Sequence, residues 1–390
     1  MNKLLTRAAW LLPLLVLSAC PQSDDKIAPT VAITSPANDQ AIAGTTTIQL
    51  DATDNTGVAR VTVYMRGLGS TVQGAIVGSA VSRPFVVSWN TSRVPNNADL
   101  ELVAVAEDGA GNKGESTPVR IRTNNTNVPV LAYLVAYTLP LNGIAPSAAP
   151  QAVVPSNFVN ALTIKAPLGL TTADAIKAKS SLQTSLRPQG TPLVNRSTVI
   201  EWAWQPVNAA DGYGAYLGRQ LEGPYTLNGR QSSAVNASLQ KRSPTLTGVS
   251  VGDSYFGTIT AVTNGATLEG GFSNADGTTF LPAQESASPS AGQTVTGGRP
   301  TLTWTALPGA IGYLYRIYTK NPLAERVDPI CTNGDASTDQ LSVFYPTNSS
   351  SCPSQLPSGT YYWWMAGVGF DAQLKADAFS FSPVRTFVVP

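Results

Sequence analysis

From residue 29 onward, short runs of apolar residues alternate with polar ones at a period of two, broken every few residues by turn formers. Val31 and Ile33; Ile48, Leu50 and Ala52; Val61 and Val63; and Phe85, Val87 and Trp89 are such sets. Leu100, Leu102, Ala104 and Ala106, then Val119 and Ile121, continue the pattern. Successive side chains of a strand point to opposite faces, so each set lines one side of a sheet. Ser35 to Asp39, Asp54 to Gly57 and Asp108 to Asn112 supply the turns between them. Charged residues make up 13% of the 390 positions, about half the usual share, and there are 33 glycines and 29 prolines. Long helices held by ion pairs do not come from such a chain. The pattern predicts an all-β protein built of short strands.

The chain has no histidine. That removes Ser-His-Asp and Cys-His catalysis, histidine-ligated metals and imidazole switching. No phosphate-cradling glycine loop, nucleophile elbow or SxxK pattern stands between a strand and a helix. Glu201 with Glu222, or Asp211 with Asp253, would form a glycosidase pair only by coincidence of folding. The expectation is a non-enzyme without a cofactor. With 25 basic and 24 acidic residues and no basic block, nothing drives nucleic-acid binding.

At the amino terminus, Lys3 and Arg7 precede the apolar run Leu11 to Leu17, too short for the ~20 residues of a membrane span. The ending Leu17-Ser18-Ala19-Cys20 resembles the lipobox of bacterial lipoproteins. The resemblance implies a signal peptide over 1–19, acylation of Cys20 and a polar tether over 20–28. Acyl chains at ~0.8 kcal/mol per buried methylene would anchor the chain to a membrane. Pro21 is not the aspartate associated with inner-membrane retention in enteric bacteria, so the outer membrane or cell surface is the expected location. That compartment permits oxidation, and Cys331 and Cys352 both stand in turn-rich sequence. They are expected to form a disulfide closing a loop of about 20 residues.

Residues 29–124 have the size of an immunoglobulin-like sandwich. Pro29-Thr-Val-Ala-Ile33, Ser35-Pro36, Asp54-x-x-Gly57-Val58, Pro84-Phe85, Trp89-Asn-Thr91 and Ala106-x-Asp108-x-Ala110-Gly111-Asn112 resemble the bacterial Ig-like modules. Such modules recur in surface proteins and beside secreted enzymes, so the resemblance implies a fold without a function. Asp51, Asp54, Asp108 and Asn112 are weak calcium candidates because hard cations take clustered oxygens. The favoured reading is that they cap tight turns through their own backbone.

Trp204-x-x-Val207-x-x-Ala210-x-Gly212-Tyr213 recurs as Trp304-x-x-Leu307-x-x-Ala310-x-Gly312-Tyr313, an offset of 100 residues. Tyr255-x-Gly-x-Ile259-x-Ala261 returns as Tyr361-x-Trp363-x-Met365-x-Gly367 at an offset of 106. This duplication resembles fibronectin type III modules, over 195–282 and 283–390. The fold expected is therefore a tandem of Ig-like and fibronectin-like β-sandwiches. Residues 125–194 are a linker or the decorated start of the second sandwich, with Val128 to Leu141 a possible strand. Thr171-Thr-Ala-Asp174 has the capping-box pattern, and Ala175, Ala178, Leu182 and Leu186 follow at helical spacing. One short helix is predicted over 172–184.

By the fibronectin pattern, Leu314, Arg316, Tyr318, Tyr362 and Trp364 turn outward on adjacent strands. Together they form the candidate binding patch, because exposed aromatics beside an arginine suit protein or glycan contact; the equal alternative is that the second domain or a loop covers this face. The function expected is a non-catalytic, lipid-anchored envelope protein acting in surface structure, adhesion or assembly, with an envelope protein or glycan as partner. The alternative is a polysaccharide- or substrate-binding accessory lipoprotein with an aromatic-lined cleft.

Overall fold

The computed structural model describes residues 25–125, 128–141, 161–185, 191–207, 210–234, 238–263, 268–325, 327–333, 337–345 and 352–390. The protein is all-β, in three sandwiches, with one α-helix, α1 (Thr172–Ser185), among the described residues. No helix there is long and apolar enough to cross a membrane. The signal segment, Cys20 and the start of the tether lie outside the described residues.

In the first sandwich, Thr45–Thr53 buries Ile48, Leu50 and Ala52 in strict alternation and Phe85–Asn90 buries Phe85, Val87 and Trp89. Thr30–Ser35 completes that three-stranded sheet. The facing sheet runs Gln40–Ile42, Val119–Thr123, Asp99–Asp108, Val58–Gly67 and Ala75–Ala80, with Lys113–Glu115 beside Asp99–Asp108. Ile48, Val61, Val63, Leu100 and Leu102 meet between the sheets as one apolar core.

Val130–Pro140 pairs antiparallel with Arg196–Gln205 along its whole length. It is therefore the first strand of the second sandwich, and the following residues up to 195 are an insertion before the second strand. The facing sheet carries Thr226–Ser232, Gly212–Gly218, Ser254–Thr263 and Leu268–Phe272 in that order. The third sandwich sets Ser286–Ser288, Thr301–Trp304 and Ser342–Phe344 against Cys331–Thr332, Gly312–Tyr318 and Gly359–Phe370. Ala376–Phe381 and Arg385–Val389 share the far edge of Gly359–Phe370.

The second and third sandwiches are not separate beads. Ala136 to Thr138 pairs in parallel with Ala378 to Ser380, which merges half of each sandwich into one ten-stranded sheet. The strand Asp276–Thr279, which pairs with Ser254–Thr263 within the second sandwich, and the residues just before it explain why this edge closes. Asn274, Asp276 and Thr278, two residues apart, aim side-chain oxygens at the N–H groups of Leu131, Leu134 and Ala136 at 2.9–3.0 Å. An exposed strand edge is thus satisfied along its length, partly by side chains and partly by the parallel partner. The first sandwich abuts the second: Asn96 N–H donates to Ser273 O at 2.7 Å and Arg93 lies 5.5 Å over the Phe272 ring.

The helix begins where its capping box places it. Thr171 N–H donates to Asp174 Oδ2 at 3.0 Å, and Asp174 N–H returns a bond to Thr171 Oγ1 at 3.3 Å. Ala175 packs in the core on one face of the ten-stranded sheet, whereas Leu182 enters the core of the third sandwich beside Val251, Leu281 and Leu307. Leu186 of the expected stripe lies outside the described residues.

Candidate functional site

The five aromatic-patch residues come together as the strand register requires. Gly312–Tyr318 and Gly359–Phe370 are hydrogen-bonded neighbours, with Arg316 opposite Trp364 and Tyr318 opposite Tyr362. The rings of Tyr318 and Trp364 stand 6.5 Å apart, and the Arg316 guanidinium lies 5.7 Å from Trp364. They do not form a surface. Leu314, Tyr318 and Trp364 are 0%, 3% and 2% exposed, and Arg316 and Tyr362 are only partly exposed. The expectation of an outward patch is corrected for a physical reason. A lone fibronectin-like sandwich would leave this face in water, but here the sheet continues into Tyr133, Val135 and Tyr137, and the insertion covers it with Ala161, Ile164 and Ala175. The aromatics are the centre of a fourth core.

Asp54, Asp108 and Asn112 also converge, joined by Asp25 of the tether. One carboxylate oxygen from each aspartate lies within 4.8 Å of the others. Asp54 Oδ2 accepts from the N–H groups of Thr56 and Gly57 at 2.9 and 3.0 Å. Asp108 Oδ1 accepts from Ala110 and Asn112 N–H at 2.8 and 2.9 Å, while Asn112 Nδ2 donates to Asp108 Oδ2 and to Asp25 O. These are turn caps, and they also dock the tether on the first sandwich. The bond from Ile27 N–H, with help from Thr56, holds the Asp25 carboxyl below its ordinary range. For Asp108, withdrawal from water pushes upward, but the donated bonds from Asn112, Ala110 and Gly111 outweigh it and the carboxyl sits low. The oxygens are of the kind a hard cation takes; N–H and O–H donors engage Asp25, Asp108 and Asp54 Oδ2, while Asp54 Oδ1 is buried without a hydrogen-bond partner. Asp51 stands apart, 3.8 Å from Arg83.

Cys331 and Cys352 form the disulfide, with their Cα atoms 4.3 Å apart. It fastens the Cys331–Thr332 strand, which lies beside Arg316 and Ile317, to the segment entering the last long strand.

The burial of two acidic groups, Glu201 and Asp377, escapes reading from the sequence. Glu201 is fully buried, accepting from Tyr133 Oη at 2.7 Å and Ser243 Oγ at 2.8 Å. Burial, and then the Glu201 charge, push the Tyr133 hydroxyl far above its ordinary value. Sealed this way, Glu201 cannot meet an external substrate. Asp253 pairs with Arg219 at 3.5 Å. Asp377, the other buried group, contacts Lys179 of α1 and is 0% exposed. Its signal is present but faint: a single acid within Ala376–Phe381, a strand whose other residues are alanine, serine and phenylalanine.

No curated protein matches the chain. Among solved structures, the fibronectin(III)-like modules of Clostridium thermocellum CbhA match at 23% identity, covering 24% of this chain and 96% of that one, with a TM-score of 0.21. The FN1–FN3 domains of chicken CNTN1 match at 11% identity over 93% and 98% of the two chains, with a TM-score of 0.24. The endo-beta-1,4-mannanase of Thermotoga petrophila matches at 12% identity over 26% and 21%, with a TM-score of 0.20. Over residues 29–102, most of the first sandwich, the chain is similar to the bacterial Ig domain family.

Proposed function

We propose that this protein is a non-catalytic, lipid-anchored component of the bacterial cell envelope, held by Cys20 and acting in surface structure, adhesion or assembly. The observation that carries the reading is the order of parts. A lipobox-like Leu17 to Cys20 leads through a short tether straight into a bacterial Ig-like sandwich, and Asp25 pins that tether to it. Beyond it, the second and third sandwiches share one ten-stranded sheet. The outer membrane or cell surface is the location this arrangement suits, with an envelope protein or glycan as its partner. The absence of histidine supports a non-catalytic role. The aromatic patch expected to meet that partner is core, so the contact surface of this role lies elsewhere on the protein; the substrate-binding alternative calls for an aromatic-lined cleft.

The test is detergent phase partition and membrane fractionation of the full chain expressed in a bacterial host, alongside Cys20→Ser. The wild type is expected in the detergent phase and the membrane fraction, and the variant in neither. A wild type that stays in the aqueous phase removes the anchor and the envelope role with it. Crosslinking in intact cells then reads the partner: a stoichiometric envelope protein or glycan supports the role, and recovery of neither counts against it.

A further inference from the structure

We propose that Asp377, buried beside Lys179 of α1, is a pH-sensitive latch, so that α1 docks more tightly across the junction of the second and third sandwiches as the medium acidifies. The inference goes beyond the envelope role and does not depend on it.

The geometry comes first. Asp377 lies on Ala376–Phe381, the strand that joins the two sandwiches through Ala378 to Ser380. Its side chain is 0% exposed. Lys179 Nζ donates to Oδ2, and Oδ1 is buried without a hydrogen-bond partner. The charged groups facing it come from three elements. Lys179 belongs to α1, Asp371 and Lys375 to the turn before the strand, and Asp276 to the strand Asp276–Thr279. Lys375 is engaged with Asp276 and, at 3.8 Å, with Asp371. Lys179, itself 27% exposed, is therefore the cation that offsets the buried carboxylate, and it arrives only when α1 is docked.

The sign follows from burial. Withdrawal from water lifts the Asp377 carboxyl, Lys179 draws it back, Asp371 and Asp276 push it up, and the balance stands at about 6. When α1 lifts away, water reaches the carboxyl and it falls toward the ordinary 3.8, with Asp371 and Asp276 still pushing it up. Docking therefore favours the protonated form. The contribution is fully present below the open-state value, is lost as pH rises from 3.8 to about 6, and is flat above. An exposed ion pair behaves the opposite way and is broken by acid. Between these limits the docking equilibrium falls by up to about tenfold from pH 5 to pH 7.

Hydrogen exchange of the α1 amides in the full chain, corrected for the intrinsic pH dependence of exchange, measures this equilibrium. Protection is expected to fall by up to about tenfold between pH 5 and pH 7 in the wild type. Asp377→Asn should flatten the profile, and Lys179→Met should steepen it, since the charged carboxylate then loses its partner. Equal protection at both pH values in the wild type, or greater protection at pH 7, overturns the latch. So does a wild-type slope in Asp377→Asn. Should that variant fail to fold, Lys179→Met decides: an unchanged slope there also overturns it.

Discussion

The hydroxyl of Tyr313 accepts a hydrogen bond from the main-chain N–H of Leu307 at 2.9 Å, and Tyr213 accepts one from Val207 at the same distance. Trp304 packs 5.8 Å from Tyr313 and Trp204 packs 5.2 Å from Tyr213. The repeated spacing thus encodes a corner in which a strand ends under its tryptophan and the chain returns to put a tyrosine hydroxyl under the turn. Glycine precedes each tyrosine because a Cβ on Gly212 would meet Gln231 O at 2.6 Å, and one on Gly312 would meet Ser337 Oγ at 2.6 Å.

Tyr213→Phe and Tyr313→Phe should each lose about 1–3 kcal/mol, because each leaves a main-chain N–H in the turn without its acceptor. Urea denaturation of the full chain checks this. A loss within error of zero for both would mean that the rings alone hold the corner.

What was legible followed period and spacing. Alternation placed Ile48, Leu50 and Ala52 on one face, and the capping box placed the start of α1. The burial of Trp364 was not legible, because alternation says only which side of a strand a residue takes, not what lies over that side. Here the cover comes from Ala161 and Ile164, about two hundred residues earlier, and from a strand of the neighbouring sandwich. The parallel pairing of Ala136 with Ala378 has no local signature either. Asp25 was hidden because a polar tether gives no hint of which turn its carboxylate will reach.

Leu182 is the second tie of α1 and it depends on Gly309. A Cβ at Gly309, whose φ is +81°, would lie 2.2 Å from Leu182 Cδ1. Leu182→Ala should cost about 2–5 kcal/mol through the cavity it leaves. Ile176→Ala, on the solvent side of the same helix, should stay within about 0.5 kcal/mol. Gly309→Ala should destabilise through both the contact and the backbone angle. Thermal unfolding of the three variants checks the order, and equal losses for Leu182→Ala and Ile176→Ala would show that Leu182 does not anchor the helix.

The disulfide closes 21 positions of chain between Cys331 and Cys352. By loop-closure entropy it should contribute about 3 kcal/mol. Cys352→Ser, compared with the oxidised wild type in urea, should lower the midpoint accordingly. An equal midpoint under oxidising and reducing conditions would mean the reduced loop is already held by packing.

The merged sheet makes a prediction about cooperativity. Val130–Pro140 is hydrogen-bonded to Arg196–Gln205 on one side and to Ala378 to Ser380 on the other, so it belongs to both sandwiches at once. Unfolding the third sandwich would strip the parallel partner from Ala136 to Thr138 and expose the core that Tyr137 shares with Phe379, whose rings stack at 5.5 Å. It would also free the Ser380 hydroxyl that accepts from Gln284 N–H at 3.0 Å. Neither sandwich keeps a complete core without the other, so the two should unfold as one unit despite their separate strand sets. Native-state hydrogen exchange in rising denaturant reads this directly. The amides of Gly212–Gly218 and Gly312–Tyr318 should lose protection at the same denaturant concentration. Two well-separated midpoints would show that the junction is only an adhesion between independent modules.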